Sequence, residues 1–331
     1  MRVVLALVAV LVLAAPARAA VPLIGIGEQH PQIFTDEAFP PLGIGDARYI
    51  ASYDALESDT ERADLDAYLQ AARDADVRVL LGFGHSRNPL LAHTAPSVKR
   101  FEREFVKFRK RYPWIRDYLT WNEANHCSQP TCNNPKRAAQ YYLAVRKHCK
   151  GCRIVAADVL DGSRLVPWVK AFQKAVGKRR VIWGLHNYID ANRFRTSGTK
   201  ELLKAAPKGQ VWFTETGGLV VRRNGSKIAF PGNKKHAAKA TKQVFKLAAL
   251  SPRVRRVYIY HWMPQRSKLP TWDSALVDPR GRPRPAYDVL KRFIRKFARE
   301  AAARRRAAAG PTPSPTPSPS PSPEPQPTPA P

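Results

Sequence analysis

The chain has 331 residues and is strongly basic, with 56 Lys and Arg against 26 Asp and Glu and a formal net charge of +30. Its first apolar stretch, residues 3–15, is shorter than the roughly 20 residues of a membrane-spanning helix, and no later stretch is longer. The basic residues do not form a recognisable nucleic-acid-binding module. These features predict a protein without an integral membrane segment and without a nucleic-acid partner.

The N-terminal segment predicts export. Met1-Arg2 supplies a positive start, residues 3–15 are apolar, and Ala17-Arg18-Ala19 is a small-x-small cleavage signal. We therefore expect residues 1–19 to be a secretory signal peptide. The mature chain should begin near Ala20 and be secreted to the extracellular side.

Strand-like and helical patterns alternate along residues 20–310. The apolar, β-rich runs are 23–27, 48–52, 78–83, 117–121, 153–157, 181–186, 210–214 and 256–261. The helical patterns are 60–75, 97–112, 133–149, 233–250 and 285–305, with a short helix expected near 35–38. Eight such units in roughly 280 residues predict an α/β fold, a single (β/α)8 TIM barrel, with an open doubly wound sheet as the alternative.

Two glutamates close strand-like runs about 90 residues apart, in the motifs Trp121-Asn122-Glu123 and Thr214-Glu215-Thr216. That interval fits three strand-plus-helix units of roughly 30 residues each. The carboxyl ends of barrel strands meet on one face, which carries the chemistry of such folds. Hydrolysis of a glycosidic bond requires two carboxyl groups on opposite sides of the bond, and the pair therefore predicts a sugar-cleaving enzyme.

Four motifs in this order resemble the clan A retaining glycoside hydrolases, in particular their cellulase-like, family-five-like members. They are Asn122-Glu123 after the fourth run, His186-Asn187-Tyr188 after the sixth, Thr214-Glu215 after the seventh and Tyr260-His261-Trp262 after the eighth. Residues 272–278 and 284–287 are similar to the last loop and final helix of the clan. The resemblance covers most of the predicted barrel and implies a retaining O-glycosyl hydrolase that needs no cofactor and no metal.

The resemblance also implies the roles of the two glutamates. Glu215 would be the nucleophile and Glu123 the acid/base, with their carboxylates about 5 Å apart. At that distance the charge of Glu215 is expected to raise the pKa of Glu123 by roughly two units. Glu123 would then remain protonated near neutral pH.

Further substrate-binding roles follow from the same resemblance. Asn122 would hydrogen-bond the sugar 2-hydroxyl, Tyr188 would hold the nucleophile, and Trp262 would form an apolar floor beneath the sugar ring. His186 would belong to a polar shell around the substrate.

Arg48 and His85 would complete that polar shell. Arg48 lies where many members have an arginine close to the nucleophile, whereas the motif around His85 departs from the strongest family patterns. Four other residues near strand ends have barrel packing as an equal alternative: Glu28, Trp121, Trp183 and Trp212.

The four cysteines form two close pairs, Cys127 with Cys132 and Cys149 with Cys152. The spacing superficially resembles paired zinc half-sites. However, the helix predicted between the pairs would span roughly 20 Å and would separate them to opposite faces. Two local disulfides are therefore favoured, because secretion is oxidising.

The C-terminal residues 311–331 alternate Pro with Ser and Thr, which predicts an extended, disordered spacer. Such a tail could tether the barrel to a cell wall. The high positive charge is either a solvated surface or a means of binding anionic wall polymers or an acidic polysaccharide.

The predicted partner is a carbohydrate, and the protein is expected to be a monomer. The alternative function is a non-catalytic, glycan- or cell-wall-binding barrel. Residues 194–199 and 221–232 are predicted to select among glucan, mannan, xylan and galactan backbones.

Overall fold

The structure is a computed structural model that describes residues 21–177, 179–265, 267 and 270–308. The predicted signal peptide, the start of the mature chain near Ala20 and the Pro-rich tail 311–331 lie outside these residues. Among the described residues, no helix is both long and apolar enough to cross a membrane.

Eight parallel strands form a closed barrel, which confirms the predicted fold class and excludes the open doubly wound sheet. The strands of the chain are β1 (Leu23–Gly27), β2 (Asp46–Ser52), β3 (Arg78–Gly84), β4 (Asp117–Leu119), β5 (Arg153–Leu160), β6 (Ile182–His186), β7 (Val211–Thr216), β8 (Val221–Asn224), β9 (Lys227–Phe230), β10 (Val254–Tyr260) and β11 (Trp272–Asp273). Around the barrel the order is β1, β10, β7, β6, β5, β4, β3, β2. Closure comes from β1, which pairs with both β2 and β10.

Helices follow most barrel strands. They are α1 (Asp59–Asp74), α2 (Val98–Arg111), α3 (Pro135–His148), α4 (Leu165–Val176), α5 (Tyr188–Asn192), α6 (Ser197–Ala205), α7 (Lys234–Ala248) and α8 (Pro285–Ala308). The side chains of Ser97 and Asn134 cap α2 and α3 by accepting backbone N–H groups of the first turns.

The short helix predicted near residues 35–38 is wrong. Two 3-10 turns, Pro31–Thr35 and Pro40–Leu42, occupy this region instead. Each begins with proline, whose fixed φ and missing N–H suit a first turn but not a helix interior. The first barrel unit therefore has no α-helix between β1 and β2.

Two apolar layers stabilise the barrel. The larger lies between the strands and the helices and includes Phe83, which contacts Phe101, Phe105 and Phe108 on α2. The smaller consists of five buried side chains from β3, β4, β5, β7 and β10: Leu80, Leu119, Val155, Trp212 and Tyr258. Apolar packing fills this middle layer, so the reactive groups are left to the strand ends.

Buried charges lie at the N-terminal end of the strands. Arg256 lies 2.7 Å from Asp117 and 3.4 Å from Asp46, and each aspartate also pairs with an arginine that begins the neighbouring strand. The Arg256 guanidinium stacks on the Trp212 ring at 4.0 Å. This shared cation joins β2, β4 and β10 below the apolar layer.

We predict that Arg256→Met lowers the free energy of unfolding by about 3 kcal/mol, because two buried carboxylates lose their common cation. Urea denaturation would measure the change. Arg255→Met is the matched control, since Arg255 is exposed on the same strand. Equal unfolding free energies for the two variants would contradict a stabilising role for this buried charge.

Candidate active site

The barrel brings Glu123 and Glu215 together at the C-terminal ends of its strands. Glu123 follows β4 in a left-handed backbone conformation with φ of 47°, and Glu215 lies in β7. A carboxylate oxygen of each and a ring nitrogen of His186 lie within 4.8 Å of one another. The two side chains are partly exposed, at 26% and 15%. This arrangement agrees with the separation of about 5 Å expected for the two carboxylates.

Arg48 on β2 is buried directly beneath the pair. Its Nη1 donates to Glu215 Oε2 at 2.8 Å, and its Nη2 donates to Asn122 Oδ1 at 2.6 Å and to Asp158 Oδ2 at 2.9 Å. The guanidinium is only 2% exposed. Arg48 therefore holds Glu215 and Asn122 in place.

Asp158 on β5 is the buried anion of this cluster and is absent from the sequence-based candidates. Its carboxylate accepts hydrogen bonds from Arg48 and Thr214 and lies 3.0 Å from His186 Nε2. The sequence does carry a signal for it, because Asp158 directly follows the apolar run 153–157. The same rule that singled out Glu215 would have found it.

Gly184 on β6 makes room for Asp158. A methyl group at this position would lie 1.8 Å from Asp158 Oδ1 and 2.7 Å from Thr214 Oγ1. Only glycine leaves the space that the buried carboxylate and its hydroxyl partner occupy. The residue type on β6 is thus set by an anion on the neighbouring strand.

His186 joins the buried anion to Glu123. Its Nε2 faces Asp158, and its Nδ1 lies 3.2 Å from Glu123 Oε1 and 4.0 Å from Glu215 Oε2. Burial lowers the pKa of His186, but the charges of Glu215 and Asp158 outweigh it and raise the pKa to about 10. His186 is therefore a cation across the physiological pH range.

The predicted rise in the pKa of Glu123 is wrong for this resting structure. Burial raises the pKa of Glu123, but the hydrogen bond and charge of His186 lower it. The lowering prevails, so the pKa of Glu123 lies below its ordinary value. Repulsion from Glu215 is opposed by the His186 imidazolium beside Glu123. Glu123 is consequently ionised next to a protonated His186.

Tyr188 begins α5 and lies over the same site. Its hydroxyl donates to Glu215 Oε1 at 3.0 Å, which is the contact expected of it. Asp161 anchors this helix by accepting the backbone N–H groups of Ile189 and Asp190. Burial raises the pKa of Asp161 to about 7, with a further contribution from the nearby charge of Asp190.

A cleft of about 600 Å³ opens above the carboxylates. Its aromatic walls are Tyr260, Trp272 and Tyr188, and the Trp272 ring meets the Tyr188 ring edge-on at 4.7 Å. Trp262, the predicted floor, is 1% exposed, and its Nε1 donates to Asp36. Trp262 therefore belongs to the buried core, whereas Tyr260 and Trp272 line the cleft.

Among the described residues, His85 and the other strand-end candidates have hydrogen-bond or packing partners other than the carboxylate pair. His85 contacts Gln129, which also accepts a hydrogen bond from Trp121 Nε1. Glu28 is buried and accepts the backbone N–H groups of Trp262 and Met263. Three tryptophans belong to the buried core: Trp121, Trp183 and Trp212.

Both predicted disulfides form, Cys127–Cys132 and Cys149–Cys152, with Cα separations of 4.9 and 5.6 Å. The first closes the loop that follows Glu123, whereas the second lies between α3 and β5.

Of the two predicted specificity segments, 221–232 reaches the cleft through Arg222, and no residue of 194–199 lines it.

Glu123, His186 and Glu215 offer the donor atoms of a metal site by distance alone. The chemistry of the set does not favour a cation. The Arg48 guanidinium already lies on Glu215, and the ring nitrogens of His186 face Glu123 and Asp158. A metal ion would have to displace a proton from His186 and then lie beside a fixed positive charge.

Comparisons with solved structures agree with this architecture. The GH5_18 protein from Streptomyces cattleya, in complex with GlcNAc, is 15% identical, with a TM-score of 0.64 over 85% of this chain and 82% of that one. Xylanase 10B from Thermotoga maritima has a TM-score of 0.59 at 13% identity, over 84% and 96% of the two chains. A xylanase (Xyn10A) mutant from Cellvibrio japonicus has a TM-score of 0.60 at 13% identity, over 83% and 98%.

This chain shares the (β/α)8 barrel fold of these solved structures. No protein-family model matches the sequence, and no curated protein matches it. At 13–15% identity the likeness establishes the (β/α)8 architecture. The chemistry must therefore be argued from the residues of this cleft.

We predict that His186→Gln raises the pKa of Glu123, because the imidazolium that lowers it is removed while the burial that raises it remains. Carboxyl-carbon NMR titration of labelled glutamate would measure the shift. His148→Gln is the control, since His148 pairs with Glu102, outside this cleft. An unchanged or lower pKa of Glu123 in His186→Gln would contradict this account.

We also predict that Gly184→Ala destabilises the fold by at least about 2 kcal/mol, since an overpacked core has little room to relax. Gly45→Ala is the matched control, because a methyl group there meets no atom within 4 Å. Urea unfolding of both variants would test the difference. A Gly184→Ala protein as stable as Gly45→Ala would show that Asp158 can move.

Proposed function

We propose that the protein is a secreted, retaining glycoside hydrolase that cleaves β-linked O-glycosidic bonds of a polysaccharide or oligosaccharide. The observation that carries the proposal is the close approach of the Glu123 and Glu215 carboxylates within a cleft walled by aromatic rings. Inverting enzymes need room for a water between their carboxyl groups, roughly 6.5–9.5 Å, whereas retaining enzymes hold them at about 5 Å.

Glu215 is the proposed nucleophile. Arg48 and Tyr188 each donate to one of its carboxylate oxygens, which fixes the orientation of the group. One oxygen attacks the anomeric carbon and forms a covalent glycosyl-enzyme, while the bond to the leaving oxygen breaks. The leaving oxygen requires a proton at this point.

Glu123 is the proposed acid/base, and His186 supplies its proton. His186 Nδ1 lies 3.2 Å from Glu123 Oε1, within reach of a proton transfer. After the transfer, Glu123 can protonate the leaving oxygen, and neutral His186 keeps its contact with Asp158. Attack by Glu215 also removes a negative charge from the site, which compensates for the loss of the imidazolium.

The second step reverses the roles of the acid/base. Ionised Glu123 takes a proton from a water molecule, the water oxygen attacks the anomeric carbon, and the bond to Glu215 breaks. Two inversions return the original anomeric configuration. The proton taken from water restores the starting proton count of the Glu123–His186 pair.

Asn122 is the proposed partner of the sugar 2-hydroxyl. Its Oδ1 is occupied by Arg48, and its amide hydrogens have no partner among the described residues. Tyr260 and Trp272 would flank the sugar rings. The two disulfides support an oxidising, extracellular location, and we extend the proposal to a monomer that can associate with anionic cell-wall polymers.

Kinetics of two variants test the roles of the glutamates on a panel of plant and bacterial-wall polysaccharides and on aryl β-glycosides. Glu215→Ala should lose more than about a thousandfold in kcat on every substrate cleaved, because no covalent intermediate can form. Glu123→Ala should still react with aryl glycosides whose leaving group needs no proton. The glycosyl-enzyme would then accumulate, and mass spectrometry should find the sugar on Glu215.

Glu201→Ala on the exposed side of α6 is the control and should retain full activity. NMR of the first products should show the original anomeric configuration. Hydrolysis by Glu215→Ala, or products of inverted anomeric configuration, would contradict a retaining mechanism with Glu215 as the nucleophile. Binding of a glycan without cleavage would favour the alternative, a non-catalytic glycan-binding barrel.

A further inference from the structure

Arg222 reaches the cleft from the hairpin that β8 and β9 form. Its guanidinium lies over the ring of Trp272, 5.6 Å from the ring centroid, and Trp272 in turn contacts Tyr188, the partner of Glu215. Residue 222 pairs with residue 272 across the short antiparallel ladder between β8 and β11, which fixes this placement. Arg222 thus belongs to the Glu215 side of the cleft.

Arg164 lines the same cleft and is held on the Glu123 side. It precedes α4, and its Nη1 donates to Asn133 Oδ1 at 2.9 Å and lies 3.5 Å from Cys132 Sγ. Cys132 belongs to the disulfide loop that follows Glu123. Arg222 therefore lies on the Glu215 side of the cleft and Arg164 on the Glu123 side.

Neither guanidinium forms an ion pair with a carboxylate of the described residues. Their neighbours behave differently: Arg284 pairs with Asp273 at 2.7 Å, and Arg282 pairs with Asp278 at 2.7 Å. Asp273 and Asp278 are thus paired with other arginines. The guanidinium groups of Arg222 and Arg164 have no carboxylate partner among the described residues.

The third carboxylate of the cleft wall does not offset these charges. Asp161 is only 5% exposed, and both of its oxygens accept backbone N–H groups at the start of α5. Its carboxylate therefore stabilises the start of α5. The outer cleft is consequently cationic, although Glu123 and Glu215 lie at its centre.

From this arrangement we propose that the substrate is an anionic glycan whose acidic groups bind Arg222 and Arg164 on either side of the bond that is cleaved. This inference rests on the proposed hydrolase function and narrows its substrate class. A guanidinium offers parallel N–H donors that match a carboxylate or a sulfate ester. Trp272 would pack against the sugar ring that carries the acidic group bound by Arg222.

Matched pairs of glycans test the inference. The probes are glucuronan oligosaccharides and cello-oligosaccharides of equal length, mannuronan oligosaccharides and manno-oligosaccharides of equal length, and a sulfated galactan with its desulfated form. Within each pair the backbone is the same and only the acidic group differs. The wild-type enzyme should have a higher kcat/KM for the acidic member of the pair that it cleaves, and the preference should shrink as salt screens the charges.

Arg222→Gln should lower kcat/KM for the acidic member by roughly tenfold to a hundredfold, the range for losing a hydrogen bond to a charged group. The ratio of kcat/KM for the acidic substrate to kcat/KM for the neutral substrate should fall as well. Arg223→Gln is the matched control, because it removes the same charge from the next residue of β8, whose guanidinium contacts Ser226. Glu215→Gln protein, titrated by calorimetry with the same pair, measures binding without turnover.

The outcomes separate this inference from the function on which it rests. Equal kcat/KM for both members of a cleaved pair would overturn the anionic substrate and leave the hydrolase proposal intact. If the ratio of kcat/KM for the acidic and neutral substrates is the same in Arg222→Gln and Arg223→Gln, Arg222 does not determine the preference. Cleavage of no pair by the wild-type enzyme, and of no glycan in the wider panel, would overturn both proposals.

Discussion

The active-site face depends on one buried ion cluster, Asp158 with Arg48 and His186. A carboxylate without solvent needs cations or hydrogen-bond donors on nearly every lone pair, and here β2, β6 and β7 supply them. The same two cations then extend to Glu215 and Glu123. The same ion cluster therefore stabilises the C-terminal end of the barrel strands and sets the ionisation of the proposed catalytic pair.

This coupling explains which parts of the site the sequence could predict. Strand boundaries followed from apolar runs, and residues at their ends were correctly brought to one face because parallel strands share a direction. Arg48, His186 and Tyr188 all reach the proposed pair. The pKa of Glu123 was missed, because it depends on a proton held by His186, and no linear pattern reports a charge balance across strands.

The aromatic walls show a second limit. Trp262 follows the eighth barrel strand, so sequence order favoured it, but a side chain near a strand end can point to either the cleft or the surrounding core. Packing against Phe39 and Tyr287 draws it into the core. Trp272 comes from a later loop, and its position depends on pairing with the β8–β9 hairpin, whose two turn residues, Gly225 and Ser226, lie between the paired Asn224 and Lys227.

That hairpin also separates two properties of the protein. It lines the cleft through Arg222 and contributes to neither the buried ion cluster nor the apolar layer inside the barrel. Its contacts with the rest of the fold include the β11 ladder and Phe230 of β9, whose ring lies 5.1 Å from that of His236 on α7. Mutations in its turn can therefore accumulate with little effect on folding or on the carboxylate pair. Substrate range can diverge among descendants of this barrel while the proposed bond-cleaving chemistry stays fixed.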